Sequence, residues 1–160
     1  MTNYSFKEIV NYFGEKLKSE AAEEDIEEGL IELMLDDNHV LLRPGKQFGS
    51  FNISLELGML TGPIPESHLK ELTSSNFMGV NTGGCSLFFD EAGSIISLAT
   101  TTTPGTSPQE NWEWLHRIYS IAQQWTNYMS KWEEFTPLAT FPMEKNDGKF
   151  HPPGHRIFKA

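Results

Sequence analysis

From Phe51 to Met59 the chain alternates without a break: Phe51, Ile53, Leu55, Leu57 and Met59 against Asn52, Ser54, Glu56 and Gly58. A period of two sends successive side chains to opposite faces, so this stretch is a β-strand with one buried face. A lone strand leaves its backbone unpaired, so partners must lie nearby in the chain. Leu30-Ile31-Glu32-Leu33-Met34-Leu35 and His39-Val40-Leu41-Leu42-Arg43 flank the turn residues Asp36-Asp37-Asn38 and read as a hairpin. Cys85 to Asp90 and Ser94 to Ala99, on either side of Glu91-Ala92-Gly93, read as a second one.

Helices bracket these strands. Ser5-Phe6-Lys7-Glu8 is a capping box, and Phe6, Ile9, Val10, Phe13 and Leu17 follow at helical spacing, which predicts a helix over about 5–19. A short helical pattern runs from Ile64 through Leu69 and Leu72 to Ser74. Ser107-Pro108-Gln109-Glu110 is a second capping box with Pro at the first helical position. It opens a long helix carrying Trp114, Leu115, Ile118, Ile121, Ala122, Trp125, Tyr128, Met129 and Trp132. That broad stripe suits packing against a sheet, with room for part of it to meet a partner. The acidic run from Glu20 to Glu28 reads as a solvated linker, an acidic docking site being the other reading. The expected order is α-β-β-β-α-β-β-α: an α+β domain over 1–136, with an antiparallel sheet covered by helices. Residues 137–160, rich in Pro and Gly, form a separate tail.

The formal charge of −10 disfavours nucleic acid and anionic membranes as partners, because both would repel the chain. A single cysteine, Cys85, cannot form an internal disulfide or a Cys-rich zinc site, which fits a reducing cytoplasm. No apolar run reaches the roughly 20 residues of a membrane span. The start, from Met1 to Glu8, lacks the basic-then-apolar build of a signal peptide.

Candidate chemistry is sparse. The Gly-rich Gly79-Val80-Asn81-Thr82-Gly83-Gly84 lacks the Lys-Ser/Thr and helix start of a phosphate loop. His151 and His155 have helical metal-pair spacing, but Pro152-Pro153-Gly154 between them prevents a helix. Cys85 has no basic neighbour to activate it and reads as a small buried side chain. No catalytic residue, metal ligand or cofactor is assigned.

One pattern is more specific. Leu69-x-x-Leu72 leads to Asn76-Phe77. Gly83-Gly84-Cys85-Ser86-Leu87-Phe88-Phe89-Asp90 follows, then a turn, Ile95-Ile96-Ser97-Leu98, and a long helix that reaches Trp125 and Trp132. This arrangement, over about 5–132, resembles class I type III secretion chaperones of the Tir-chaperone kind. The resemblance implies a homodimer in the bacterial cytosol, joined through Leu69, Leu72, Phe77, Leu87 and Phe89. It implies a partner too: the extended N-terminal segment of a secreted effector, which adds a strand and fills apolar grooves. Phe13, Leu33, Leu35 and Leu42 are the expected effector contacts, each of them also fitting plain core burial. A regulatory interaction domain on the same fold is the alternative. A small enzyme would need Cys85 or a histidine beside a base.

Overall fold

The computed structural model describes residues 4–18, 23–36, 38–76, 82–90 and 94–138. Two short helices come first, α1 (Phe6–Leu17) and α2 (Glu23–Glu28), then strands β1 (Ile31–Leu35), β2 (Asn38–Pro44) and β3 (Phe51–Leu60). Helix α3 (Glu66–Ser75), strands β4 (Ser86–Phe89) and β5 (Ile95–Thr101), helix α4 (Pro108–Met129) and strand β6 (Phe135–Pro137) complete the chain. The strands form one antiparallel sheet ordered β1-β2-β3-β5-β4, with β6 pairing the end of β3.

The alternation read from 51 to 59 is borne out as far as Leu57; beyond it the register shifts between Glu56 and Gly58, which turns Met59 outward and Leu60 inward. Phe51, Ile53, Leu55 and Leu57 are fully buried, while Asn52, Ser54 and Glu56 face the open side. Val40 pairs with Leu55, and Leu55 pairs with Leu98 on its other side, so one apolar row crosses three strands. Helices α1 and α4 cover that face. Phe13 meets Phe51 edge-on at 6.3 Å and Trp112 at 5.3 Å, which seats α1 between the sheet and α4. Burying side chains of this size is worth roughly 1.5–3 kcal/mol each. Both capping boxes form: Ser5 with Glu8, and Ser107 with Glu110 and Pro108 in the first turn. The opposite face of the sheet carries no helix among the described residues, and its rows are mostly polar or small, as in the row Glu32, Ser54, Ala99 and Ser86, where Leu41 is the one large apolar side chain.

The sequence reading and the fold differ in two elements. Of the acidic stretch expected as a linker, Glu23–Glu28 forms α2, because its Glu-rich composition favours helix and Ile26 supplies one side chain that packs on the core. The strand β6 was not foreseen, and the expected boundary at 136/137 falls inside it. Its signal is hidden in Gly58: a Cβ there would run into the Phe135 ring and the Thr136 carbonyl. Only glycine lets β6 lie so close, at the point where the β3–β5 register shifts between Glu56 and Gly58.

Candidate functional site

The main path of the sheet ends in two edge strands, β1 and β4, and the chain treats them differently. An edge strand turns every second residue's N–H and C=O outward, away from its neighbour. On β4 the outward groups of Leu87 are already engaged by a side chain. The Asn76 carboxamide accepts from Leu87 N–H at 2.7 Å and donates to Leu87 C=O at 2.6 Å, as a neighbouring strand would. One step earlier, Cys85 N–H donates to the Thr82 carbonyl at 3.1 Å, and the Thr82 hydroxyl donates to the Cys85 carbonyl.

On β1 nothing of the kind exists among the described residues. The two-residue connection between Leu35 and Asn38 makes Leu35, Leu33 and Ile31 the residues bonded to β2. Asp36, at φ 48°, supplies the left-handed turn. Asn38 braces the tip by donating to the Leu35 and Asp36 carbonyls and to the Tyr119 hydroxyl. Glu32 and Met34 therefore direct their backbone groups to solvent. Met34 is 43% exposed and Leu30, just before the strand, 44%. Glu32 hydrogen-bonds His39 across the hairpin. Beyond Leu30, the side chains of Asp25, Glu27 and Glu28 are exposed on α2, and none of them meets a cation among the described residues.

A polar and aromatic cluster fixes α3 to the rest of the molecule. His68 stacks flat on Trp132, centroids 4.0 Å apart and 7° between planes, and hydrogen-bonds Glu134. Burial opposes ionisation of Glu134, but the bonds from His68 and the backbone hold its carboxyl below the ordinary range. Tyr128 donates to Glu71, and burial, with this carboxylate beside it, raises the phenol well above its usual value. Leu72 plugs the inner face of α3, while Leu69 points outward at 43% exposure.

The residues expected at a dimer contact are thus split. Leu69 is exposed, Phe89 is half-buried, Leu72 and Leu87 are buried within the single chain, and Phe77 lies outside the described residues. The expected effector contacts Phe13, Leu33, Leu35 and Leu42 all face inward and are buried, since their parity along the hairpin matches the helix-covered face. Sequence reading passed over their outward neighbours Met34 and Leu30. The apolar run from Leu30 to Leu35 is broken only by Glu32, and that single break was the clue to which side faces water. It named Asn76 as part of a family pattern without seeing its part in closing an edge.

A cleft of about 300 Å³ lies between the end of β5 and α4, lined by Thr101, Thr102, Thr103, Thr106, Glu110, Asn111, Glu113, Trp114 and Arg117. Neither Cys85 nor a histidine borders it. Burial pushes the Cys85 thiol up to about 11, against a smaller opposing hydrogen bond with Thr100. Among the described residues no group of His, Cys, Asp and Glu could hold a metal, and no helix is long and apolar enough to cross a membrane. His151 and His155 lie outside those residues.

No family model and no curated protein matches the sequence. Solved structures do match the fold. A chain of the ExsC–ExsE complex superposes with a TM-score of 0.61 at 17% identity, covering 78% of this chain and 95% of that one. A chain of the HopA1–SchA chaperone–effector complex superposes with a TM-score of 0.51 at 15% identity, covering 76% and 89%. The α+β architecture with its antiparallel sheet is thus secretion-chaperone-like, as the resemblance implied.

Proposed function

We propose that this chain is a chaperone of the bacterial cytosol, without chemistry of its own, that holds the N-terminal region of a type III secretion effector in a soluble, exportable form. The observation that carries the reading is the fold it shares with chains crystallised in the ExsC–ExsE and HopA1–SchA complexes, the latter a chaperone–effector pair. The open β1 edge supports it physically. Unpaired N–H and C=O groups recruit an extended segment by strand addition, and pockets at alternate positions then select its side chains. Capturing an unfolded segment in this way requires no metal, nucleotide or cofactor.

The client contact is assigned to the solvent side of the first hairpin, at Met34, Leu30 and the half-buried Leu41. Phe13, Leu33, Leu35 and Leu42 act on the other side, holding the edge rigid so that it is ready for a strand. The homodimer is proposed through the outward face of α3 and the adjoining β4, with Leu69, Phe77 and Phe89 in contact across it. Leu72 and Leu87 set α3 in place behind that surface.

Two measurements test this. A candidate effector's N-terminal segment is co-expressed with the chain and with Met34→Pro. The proline removes an outward N–H without touching a β2 bond, so the variant should stay folded and lose client capture. Equal capture by both chains sinks strand addition at β1. A folded partner bound equally well by both would instead favour a regulatory interaction domain. Light scattering at micromolar concentration should give a dimer that Leu69→Asp dissociates, and a wild-type chain that is monomeric throughout removes the dimer assignment.

A further inference from the structure

We propose that the cleft between the end of β5 and the first turns of α4 is a second docking site, which takes a lysine or arginine side chain from an extended polypeptide segment bridged to the backbone of Thr101. The observation behind it is an orphan acceptor. Asn111 borders the cleft and is only 2% exposed. Its Nδ2 donates to the Thr106 carbonyl at 3.1 Å, which fixes the way the carboxamide faces, and its Oδ1 has no hydrogen-bond partner among the described residues. A buried acceptor left unpaired costs the fold free energy, so this one is matched by a donor from outside that set.

The rest of the cleft selects the kind of donor. Glu110 and Glu113 line it with carboxylates, and Arg117 is the one cation in its lining. Arg117 lies over the Trp114 ring at 5.0 Å and makes no ion pair with Glu113, one helical turn away. Acceptors thus outnumber donors, and the two carboxylates outweigh the roughly +0.5 charge that a helix start carries. Lys and Arg side chains offer donors and no acceptor, so they match this set, whereas an acidic side chain opposes it. A volume of about 300 Å³ is small for a ligand site and suits a single side chain.

The sheet supplies a backbone contact beside the cleft. Thr102 N–H donates to the Phe51 carbonyl, so by alternation Thr101 turns its own N–H and C=O away from β3. On that side β4 begins only opposite Ala99, and Gly84, at φ 87°, carries the preceding chain away before it reaches Thr101. The rung at Thr101 is therefore open among the described residues. A residue bridged there, in line with β4, shares the helix-free face with Thr101. Its neighbour in the segment, opposite Thr102, turns toward α4 and the cleft.

The chaperone reading enters only in naming the owner of the segment, a client; the site is tested without one. The full chain, isotope-labelled for NMR, is titrated at low salt with a capped Thr-Val-Lys-Val-Thr peptide and with its norleucine and glutamate counterparts. The lysine peptide should shift the Thr101 amide and the Asn111 carboxamide. It should bind at least about tenfold more tightly than the norleucine peptide, as a hydrogen bond to a charged group allows, and the glutamate peptide should bind most weakly. The lysine preference should shrink as salt is raised. Asn111→Leu should unfold at the same urea concentration as the unaltered chain or a higher one, and lose most of the preference. Glu113→Gln, an exposed change, should stay folded and reduce the preference about threefold. A purely structural Asn111 would instead move the unfolding midpoint and leave the preference intact. Equal binding of the lysine and norleucine peptides, shifts confined to Glu32 and Met34, or a preference untouched by both substitutions overturns the site. None of these outcomes decides strand addition at β1, which the capture experiment with Met34→Pro tests separately.

Discussion

The two edges of the sheet carry similar strands and opposite instructions. The Asn76 side chain satisfies both outward backbone groups of Leu87 on β4, and Thr82 bonds those of Cys85 just before the strand through its carbonyl and its hydroxyl. On β1 the equivalent groups of Glu32 and Met34 are left to solvent among the described residues. An unpaired edge is a hazard that soluble proteins usually blunt. The bonds to Leu87 tie β4 to the end of the chain's own helix α3, whereas β1 is the edge to which the proposed function assigns a client strand.

The sharpest way to break the contrast is to exchange the roles of neighbours on β1. Leu33 is buried and Met34 is exposed, one residue apart. Leu33→Ala should cost about 2–5 kcal/mol of folding stability, as core truncations do, measured by urea unfolding. Met34→Ala should cost less than about 0.5 kcal/mol and yet weaken client capture, because its loss falls on the complex and not on the fold. Should both substitutions destabilise equally, Met34 is part of the core and the edge is not a docking surface.

The closed edge yields the next largest effect. Asn76→Ala strips Leu87 of both side-chain bonds and leaves a donor and an acceptor without their partners, at a cost of about 1–3 kcal/mol. Asn76→Asp keeps an acceptor for the N–H but offers no donor to the carbonyl, so it should recover only part of that loss. Unfolding midpoints that do not move in either variant would mean that water replaces the amide at no cost, and that β4 is as open as β1.

Much of this was legible before any coordinates. Period two from Phe51 to Met59, turn residues at 36–38 and two Ser-x-x-Glu boxes locate β1 to β3, α1 and the start of α4, because each is a local rule acting within a few residues. What escaped was non-local. The need for glycine at 58 comes from β6, far along the chain, and the edge-closing of Asn76 from β4, eleven residues on. The inward parity of Leu33, Leu35 and Leu42 follows from which side α1 and α4 cover, and within the apolar run Glu32 alone marks it. The expected effector contacts on the first hairpin therefore lie on its helix-covered side in the single folded chain.

The smallest effect concerns the cluster that ties α3, the helix next to the closed edge, to the end of α4. Glu134 accepts from His68 while His68 stacks on Trp132, and the carboxyl is held below its ordinary value. A carboxyl depressed in the folded state adds stability at pH values above its unfolded titration, and that stability is lost as pH falls through the folded one. The stability gap between the unaltered chain and Glu134→Gln should thus be present at neutral pH and close as pH drops through and below about 4. It should be on the order of 1 kcal/mol, because the burial of the carboxyl offsets part of what its bonds contribute. A gap that widens toward acid would mean that the carboxylate is a burden to the fold, and that the histidine–tryptophan stack alone holds α3 in place.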